Sequence, residues 1–294
     1  MSVAGPPAHA AYWQLPEELL IDTAMARRII VEFIRRHLAQ TGFERALLGL
    51  SGGIDSAVVA YLVAEAIGAD KLLCLLLPYK TSSPASQADA EAVVGRLGCA
   101  QRLIDITPIV DGYLEGSLGA TKEVSRLRLG NFAARARMAV LYDQSVAWRG
   151  LVMGTSNKTE TLLGYTTIFG DNAAALQPIG DLYKSQLRQL AAELGVPEPI
   201  LRKPPTADLW AGQTDEEEVG LAYAEIDRLL YWLVDRRRTI AELLEMGFAA
   251  ATVERVEALV AGSEFKRQAA PIAKLSPRTP GVDYLYPRRR PRGR

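Results

Sequence analysis

The feature that most constrains this chain is a series of short apolar segments, each followed by a stretch of helical periodicity. Ala46-Leu47-Leu48-Gly49-Leu50 is apolar and short, the loop Ser51-Gly52-Gly53-Ile54 follows, and Asp55 to Ile67 resumes apolar spacing of the helical kind. The pattern repeats with Lys71 to Leu77 as a buried strand, Ser86 to Leu97 as a helix closed by Gly98, and Gln101 to Ile106 as a further strand. A long helix, Arg126 to Trp148, then precedes Gly150-Leu151-Val152-Met153-Gly154, the fourth candidate strand. Strands alternating with helices pair in parallel through right-handed crossovers. The expected fold is therefore α/β, a three-layer, mostly parallel, doubly wound sheet. Residues 16 to 40 predict an amphipathic helix with Pro16 in its first turn and Gly42 just past its end. Helical patterns over Lys184 to Leu194, Val219 to Val234, Ile240 to Met246 and Ala250 to Ala261 add a helical C-terminal portion. In open sheets of this kind ligands sit beyond the carboxyl ends of the strands, which directs attention to the loops after Leu50, Leu77, Ile106 and Met153.

No Gly/Ser linker or repeat interrupts the body, so residues 16–270 read as one domain between a flexible N-terminal arm, 1–15, and a Pro/Arg-rich C-terminal tail, 271–294. Lys+Arg and Asp+Glu both number 34, so no global positive field exists to hold a nucleic acid, and none is expected as a partner. Two cysteines, Cys74 and Cys99, are too few for a disulfide scaffold or a four-ligand zinc site and suit a reducing compartment. The N-terminus shows no leader pattern, and the strongest apolar run, Leu72 to Leu77, is far short of the roughly 20 residues of a membrane span. A cytoplasmic protein without a membrane partner is expected.

The loop Gly49-Leu50-Ser51-Gly52-Gly53-Ile54-Asp55-Ser56 carries the clearest chemistry. Adjacent glycines let backbone approach a ligand closely, their N–H groups and the following helix N-terminus form a nest for an anion, and Ser51 and Ser56 add hydroxyls. The loop is not a Walker A motif, since it lacks the Gly-Lys-Ser/Thr ending. Asp55 would repel a phosphate unless a Mg²⁺ bridged the two, so a metal–nucleotide complex is the natural occupant. A bare Gly-Gly-x-Asp is equally an ordinary strand-to-helix turn; the longer string Ser-Gly-Gly-x-Asp-Ser resembles the pyrophosphate loop of the ATP pyrophosphatase superfamily.

A second stretch separates the members of that superfamily. Leu151-Val152-Met153-Gly154-Thr155-Ser156-Asn157-Lys158-Thr159-Glu160, continuing through Leu163-Gly164-Tyr165 and Phe169-Gly170-Asp171 to Pro178-Ile179-Gly180-Asp181-Leu182-Tyr183-Lys184, resembles the NAD⁺ synthetase family, as do Arg135-Ala136-Arg137, Lys203-Pro204-Pro205-Thr206 and Lys266-Arg267. The resemblance implies the adenine nucleotide alpha hydrolase-like form of the fold. It implies that Gly49 to Ser56, Thr155, Lys184 and Thr206 contact ATP, that Asp55 and Glu160 hold Mg²⁺, and that Arg135 and Lys266 bind deamido-NAD⁺. The bland readings beside these are a solvated helix residue for Glu160, which its own sequence context favours, a surface charge at a helix start for Lys184, and an Arg on a solvated helix face for Arg135. The implied reaction is two-step amidation of deamido-NAD⁺ through an acyl-adenylate, with no side-chain nucleophile, by a homodimer. About 45 residues precede the first strand and contain no cysteine, so free ammonia, or ammonia from a separate subunit, is the expected nitrogen source. Another carboxylate-activating ATP pyrophosphatase and an ATP-sensing module without turnover are the alternatives.

The chain departs from one branch of that family. Where the branch has a lysine, a glycine pair and an aspartate against the substrate, this chain has Ile168, Asn172-Ala173 and Ala175, and Phe265 replaces the histidine before Lys266. A different branch, or a different carboxylate acceptor, is implied at the nicotinate end.

Overall fold

Period-two alternation along the strands sorts the core into two faces. In strand β1 (Arg45–Gly49) Ala46 and Leu48 point to one side and Leu47 to the other; in β2 (Leu72–Leu76) Leu72, Cys74 and Leu76 oppose Leu73 and Leu75. Both strands are buried on both sides and accordingly lack any polar alternation, as central parallel strands must. The computed structural model describes residues 15–117, 124–204 and 220–283.

On the first face lie α1 (Thr23–Thr41), α2 (Ile54–Ile67), α3 (Pro84–Leu97) and α7 (Lys184–Glu193), which place Ile34, Val58, Leu62, Val93 and Leu187 against the sheet. On the second lie α4 (Thr107–Ser117) and α5 (Arg126–Trp148), which contribute Val110, Ala133 and Ala136. The remaining strands are β3 (Ala100–Leu103) and β4 (Gly150–Val152), and the order β3-β2-β1-β4 is parallel throughout, with Leu47 facing Leu73 on one side and Val152 on the other. The three-layer parallel sheet expected from the sequence is thus present. Its winding reverses between β1 and β4, so the crevice at their carboxyl ends is the topological switch point.

Beyond the sheet, α6 (Lys158–Leu163), α8 (Glu198–Arg202), α9 (Tyr223–Leu230), α10 (Ile240–Glu245) and α11 (Ala250–Gly262) complete the described helices. A second core of Leu163, Tyr183, Ile226, Leu229, Leu243 and Val253 holds α6, α9, α10 and α11 together. Among the described residues no helix is long and apolar enough to cross a membrane. Cys74 and Cys99 are free and buried, with their sulfurs 3.7 Å apart.

Several boundaries differ from the sequence reading. The helix expected over 16–40 is two pieces: Glu17–Leu19 is a separate 3-10 turn that Pro16 precedes, and Asp22 opens α1 by accepting the Met25 N–H at 2.8 Å. The break exists because Leu19 is buried in the second core and Gln189 clamps the chain, donating to Leu19 O at 2.9 Å and accepting from Ile21 N at 3.2 Å. Strand β3 stops at Leu103, and α4 follows after Asp105 takes the Thr107 N–H at 2.8 Å. Strand β4 stops at Val152, beyond which Met153 N still donates to Leu47 O at 2.8 Å and Met153 forms an isolated parallel bridge to Leu176. The helix expected over 219–234 is α9, which widens into a π-helical turn over Tyr231–Asp235; residue 219 lies outside the described residues.

Candidate active site

The loop after β1 is shaped by its serines. Ser56 Oγ donates to Gly53 O (3.1 Å) and accepts the Ser51 N–H (3.2 Å), while Ser51 Oγ accepts the Gly53 N–H (3.2 Å). Gly52 turns through φ +78°, and a methyl there would be driven onto the Ser86 carbonyl oxygen of α3. Gly53 is the N-cap of α2 and offers no side-chain acceptor, so the first-turn N–H groups of that helix keep their capacity for an external anion. The expected residues Gly49, Leu50, Ser51, Gly52, Gly53, Ile54, Asp55 and Ser56 therefore form one strand–loop–helix nest at the switch point.

Asp55, in the first turn of α2, meets residues from two other elements. Lys184 Nζ, at the start of α7, lies 2.5 Å from Asp55 Oδ2 and 3.2 Å from Glu160 Oε1 of α6. Asn157 Nδ2 donates to Asp55 Oδ1 at 2.8 Å. Asn157 also caps α6: its Oδ1 accepts the Glu160 N–H at 2.9 Å and Glu160 Oε2 accepts the Asn157 N–H at 3.3 Å. Lys184 is almost wholly buried, its carboxylate partners partly so, and the Tyr223 ring lies 5.4 Å from the ammonium. The sequence placed Asp55, Glu160 and Lys184 in one site from positions as much as 129 residues apart, and the structure brings them together. Two carboxylates sharing one cation position are a hard-oxygen donor set, which fits a Mg²⁺ ion completed by phosphate oxygens.

The sequence reading missed Asp227. It lies on α9 with no exposed surface, and it accepts from Thr159 Oγ1 (2.5 Å) and from Ser185 N (2.7 Å). Thr159 Oγ1 in turn accepts the Lys184 N–H at 3.0 Å. Burial pushes the Asp227 carboxyl above its ordinary range, against the opposing pull of Ser185, Thr159 and the Lys184 charge. An aspartate in an otherwise apolar stripe (Ile226, Leu229, Leu230) was the available signal.

At the far end of α6, six residues or about 9 Å along, the chain enters the loop that carries the expected substrate residues. Arg135 of α5 is exposed and donates to Ile168 O from Nε (3.3 Å) and Nη2 (3.2 Å). Lys266 donates to Gly164 O (2.6 Å) and Thr166 O (2.8 Å), and burial pulls its ammonium below the ordinary lysine range while Asp171 pushes it back. Both cations thus converge on one segment, 164–168. Thr155 is half-buried in the loop leaving β4, next to Asn157, and Thr206 lies outside the described residues. The loops after Leu77 and Ile106 meet each other instead: Lys80 N donates to Thr107 Oγ1 (2.9 Å), and Tyr79 OH (2.8 Å) and Lys80 Nζ (2.6 Å) both reach Asp111.

The family model described as NAD synthase matches residues 26–270. The chain belongs to the NAD synthase family. A relative from Trichlorobacter lovleyi, named NH(3)-dependent NAD(+) synthetase, is 48% identical over 270 residues, 92% of this chain and 97% of that protein. Among solved structures, an NMN synthetase from Francisella tularensis has a TM-score of 0.76 at 32% identity, over 86% of this chain and 99% of that one. The NH3-dependent NAD synthetase from Campylobacter jejuni, in complex with nitrate, has a TM-score of 0.74 at 32% identity, over 87% and 100%.

ATP is a substrate throughout the NAD synthase family. Of the positions where this member departs from one branch of the family, Ile168 lies on the segment held by Arg135 and Lys266, Phe265 directly precedes Lys266, and Asn172, Ala173 and Ala175 follow that segment. Ile168 is half-buried and presents its carbonyl to Arg135, Phe265 is exposed beside Lys266, and the Asn172 carbonyl accepts from Gln177 Nε2 at 3.2 Å.

Proposed function

We infer that this chain amidates deamido-NAD⁺ with ammonia at the expense of ATP, releasing AMP and pyrophosphate and forming NAD⁺. The observation that carries the reading is the convergence of the Ser51–Ser56 nest, Lys184 and the Asp55/Glu160 pair at the β1/β4 switch point in a chain whose close relatives are NH(3)-dependent NAD(+) synthetases.

In this reading the N–H groups of the loop and of the first turn of α2 bind the ATP phosphates, with Thr155 and Thr206 completing the nucleotide contacts. Asp55 and Glu160 hold Mg²⁺, which when bound neutralises phosphate charge. The nicotinate carboxylate attacks the α-phosphorus, the bond to pyrophosphate breaks, and ammonia then displaces AMP from the acyl-adenylate. Lys184 reaches the phosphates and offsets the charge that builds on the leaving pyrophosphate. No side-chain nucleophile takes part; the protein orients the two substrates and stabilises charge. Arg135 pairs with the dinucleotide, and Lys266 acts on it chiefly by holding the 164–166 segment. The domain spans residues 16–270, and the enzyme works in the cytoplasm, where Cys74 and Cys99 stay reduced. A homodimer is supported by the apolar side chains exposed on α4 and α5, Tyr113, Leu127, Tyr142 and Val146.

The test is a single incubation of the enzyme with Mg·ATP, ammonia and either deamido-NAD⁺ or its mononucleotide counterpart, following AMP, pyrophosphate and the amide product. NAD⁺ formed in step with AMP is the expected result. The mononucleotide arm is needed because one similar structure is an NMN synthetase; product from that acceptor alone would transfer the reading to it, and AMP release without either acceptor would overturn it. Replacing Arg135 with alanine removes a charged donor to the substrate, worth about 1.5–3 kcal/mol. KM for deamido-NAD⁺ should rise about tenfold or more while KM for ATP stays within about twofold, as initial-rate kinetics would show.

A further inference from the structure

Three side chains of the site come from separate elements: Asp55 from α2, Glu160 from α6 and Lys184 from α7. α6 is docked by Leu163 in the second core and α7 by Leu187 on the sheet, and a polar link joins the two helices. The buried carboxylate on α9 touches both. Asp227 Oδ1 accepts from Thr159, the neighbour of Glu160, and Asp227 Oδ2 accepts from the backbone of Ser185, the neighbour of Lys184. The same threonine hydroxyl accepts the Lys184 N–H, so one chain of hydrogen bonds runs from α9 through α6 to the first turn of α7. One turn before Asp227 on the same helix, Tyr223 lays its ring beneath the Lys184 ammonium.

We propose that Asp227 is a positioning residue for phosphate activation: it joins α6 to α7 and thereby holds Lys184 in register with Glu160 and Asp55. Both carboxylate oxygens serve as acceptors, which no apolar residue of similar size could reproduce, and the carboxylate faces the N-terminal end of α7, where negative charge is favoured. A purely structural role would ask only that α9 pack, and Ile226, Leu229 and Leu230 already do that from the buried face of the helix. The role differs from the contacts of the reacting groups themselves, because Asp227 acts through Thr159 and Lys184. It rests on the reading that Lys184 binds the ATP phosphates.

The experiment is a double-mutant cycle on nucleotide affinity, using full-length protein and Mg·α,β-methylene-ATP as a probe that is not cleaved. Asp227→Ala should weaken the probe about tenfold, the lower end of what losing the partner that orients a site residue costs. In a Lys184→Met background the same substitution should change affinity by less than about twofold, since the group it positions is gone. With deamido-NAD⁺, Asp227→Ala should lower kcat/KM for ATP and leave KM for deamido-NAD⁺ within about twofold. Thr159→Val cuts the link while leaving the carboxylate, and should move probe affinity in the same direction by a smaller factor; it decides the matter if Asp227→Ala does not fold. Equal losses in both backgrounds, or unchanged affinity in Asp227→Ala or Thr159→Val, would overturn the proposal. Unchanged affinity in Lys184→Met alone would instead remove the reading of Lys184 on which it stands.

Discussion

Alanine at Gly52 should cut NAD⁺ formation by about 10²-fold or more, while alanine at Gly49, three residues away, should leave a working enzyme. Both glycines belong to the same loop sequence, so composition does not separate them. Gly52 has φ +78°, a conformation that costs an L-residue about 1–2 kcal/mol. Its added methyl would also meet the Ser86 carbonyl oxygen and lie 3.2 Å from Asp89 Cβ, both on α3. Neither neighbour is the loose end of a side chain: Ser86 O is backbone, and Asp89 is tied by Lys203 at 2.9 Å. The loop itself must therefore shift, and with it the Gly53 N–H that Ser51 holds and the first turn of α2. A displacement of about 1 Å in a positioning element costs on the order of 10²-fold, and the loop positions every phosphate contact. We expect kcat/KM for ATP to fall by about 10²-fold or more, with a midpoint of thermal unfolding lowered in parallel. At Gly49 a methyl would sit 3.6 Å from Leu141 Cδ1, ordinary contact distance, and φ is not in the left-handed region. Steady-state rates and melting curves of the two variants side by side test this; an active Gly52→Ala enzyme would mean that the loop does not hold the nucleotide.

What the sequence made legible follows from how local each determinant is. The Ser51–Ser56 loop was readable because its demands, a positive φ, a close backbone approach and hydroxyls that bond within the loop, all fall on adjacent residues. The doubly wound sheet was readable because β1 and β2 are buried on both faces and so appear as unbroken apolar runs. Helix α4 was not, because Pro108, Gly112 and Gly116 disguise it; Pro108 in the first turn costs no intrahelical bond, since that N–H has no partner in the helix anyway. The split before α1 depends on Gln189, which is 170 residues from Leu19, and no pattern near Pro16 reports it. Asp227 was missed for the same reason: its partners are 68 and 42 residues away, and nothing around it resembles a motif. Lys266 was singled out by resemblance alone; its bonds to Gly164 O and Thr166 O come from the way α11 is docked on α6, which is a property of the packed second core.

Replacing Lys184 with methionine should be the most damaging side-chain change at the site, and its effect should depend on Mg²⁺ in a way that separates two jobs of one ammonium. The first job is catalytic: losing a preorganised group aimed at developing phosphate charge costs about 10²–10³ in kcat. The second is visible without any nucleotide. Lys184 Nζ stands between two carboxylates, 2.5 Å from Asp55 and 3.2 Å from Glu160, with all three side chains largely shielded from water. Methionine has nearly the same volume but no charge, so it leaves two like charges facing each other with their cation removed. Breaking such a pair by deleting one partner costs about 3 kcal/mol, or roughly 6 °C or more in the unfolding midpoint for a domain of this size. Asn157 still donates to Asp55, which offsets part of that loss but supplies no charge. A divalent cation placed between Asp55 and Glu160 restores what the ammonium provided. Millimolar Mg²⁺ should therefore raise the unfolding midpoint of Lys184→Met more than that of the parent, in which the ion must first displace Nζ from the carboxylates. Melting curves of both proteins with Mg²⁺, and with a chelator in its place, measure this directly. An equal shift in the two proteins would show that Asp55 and Glu160 are not a shared cation site, and the assignment of both as metal ligands would fall with it.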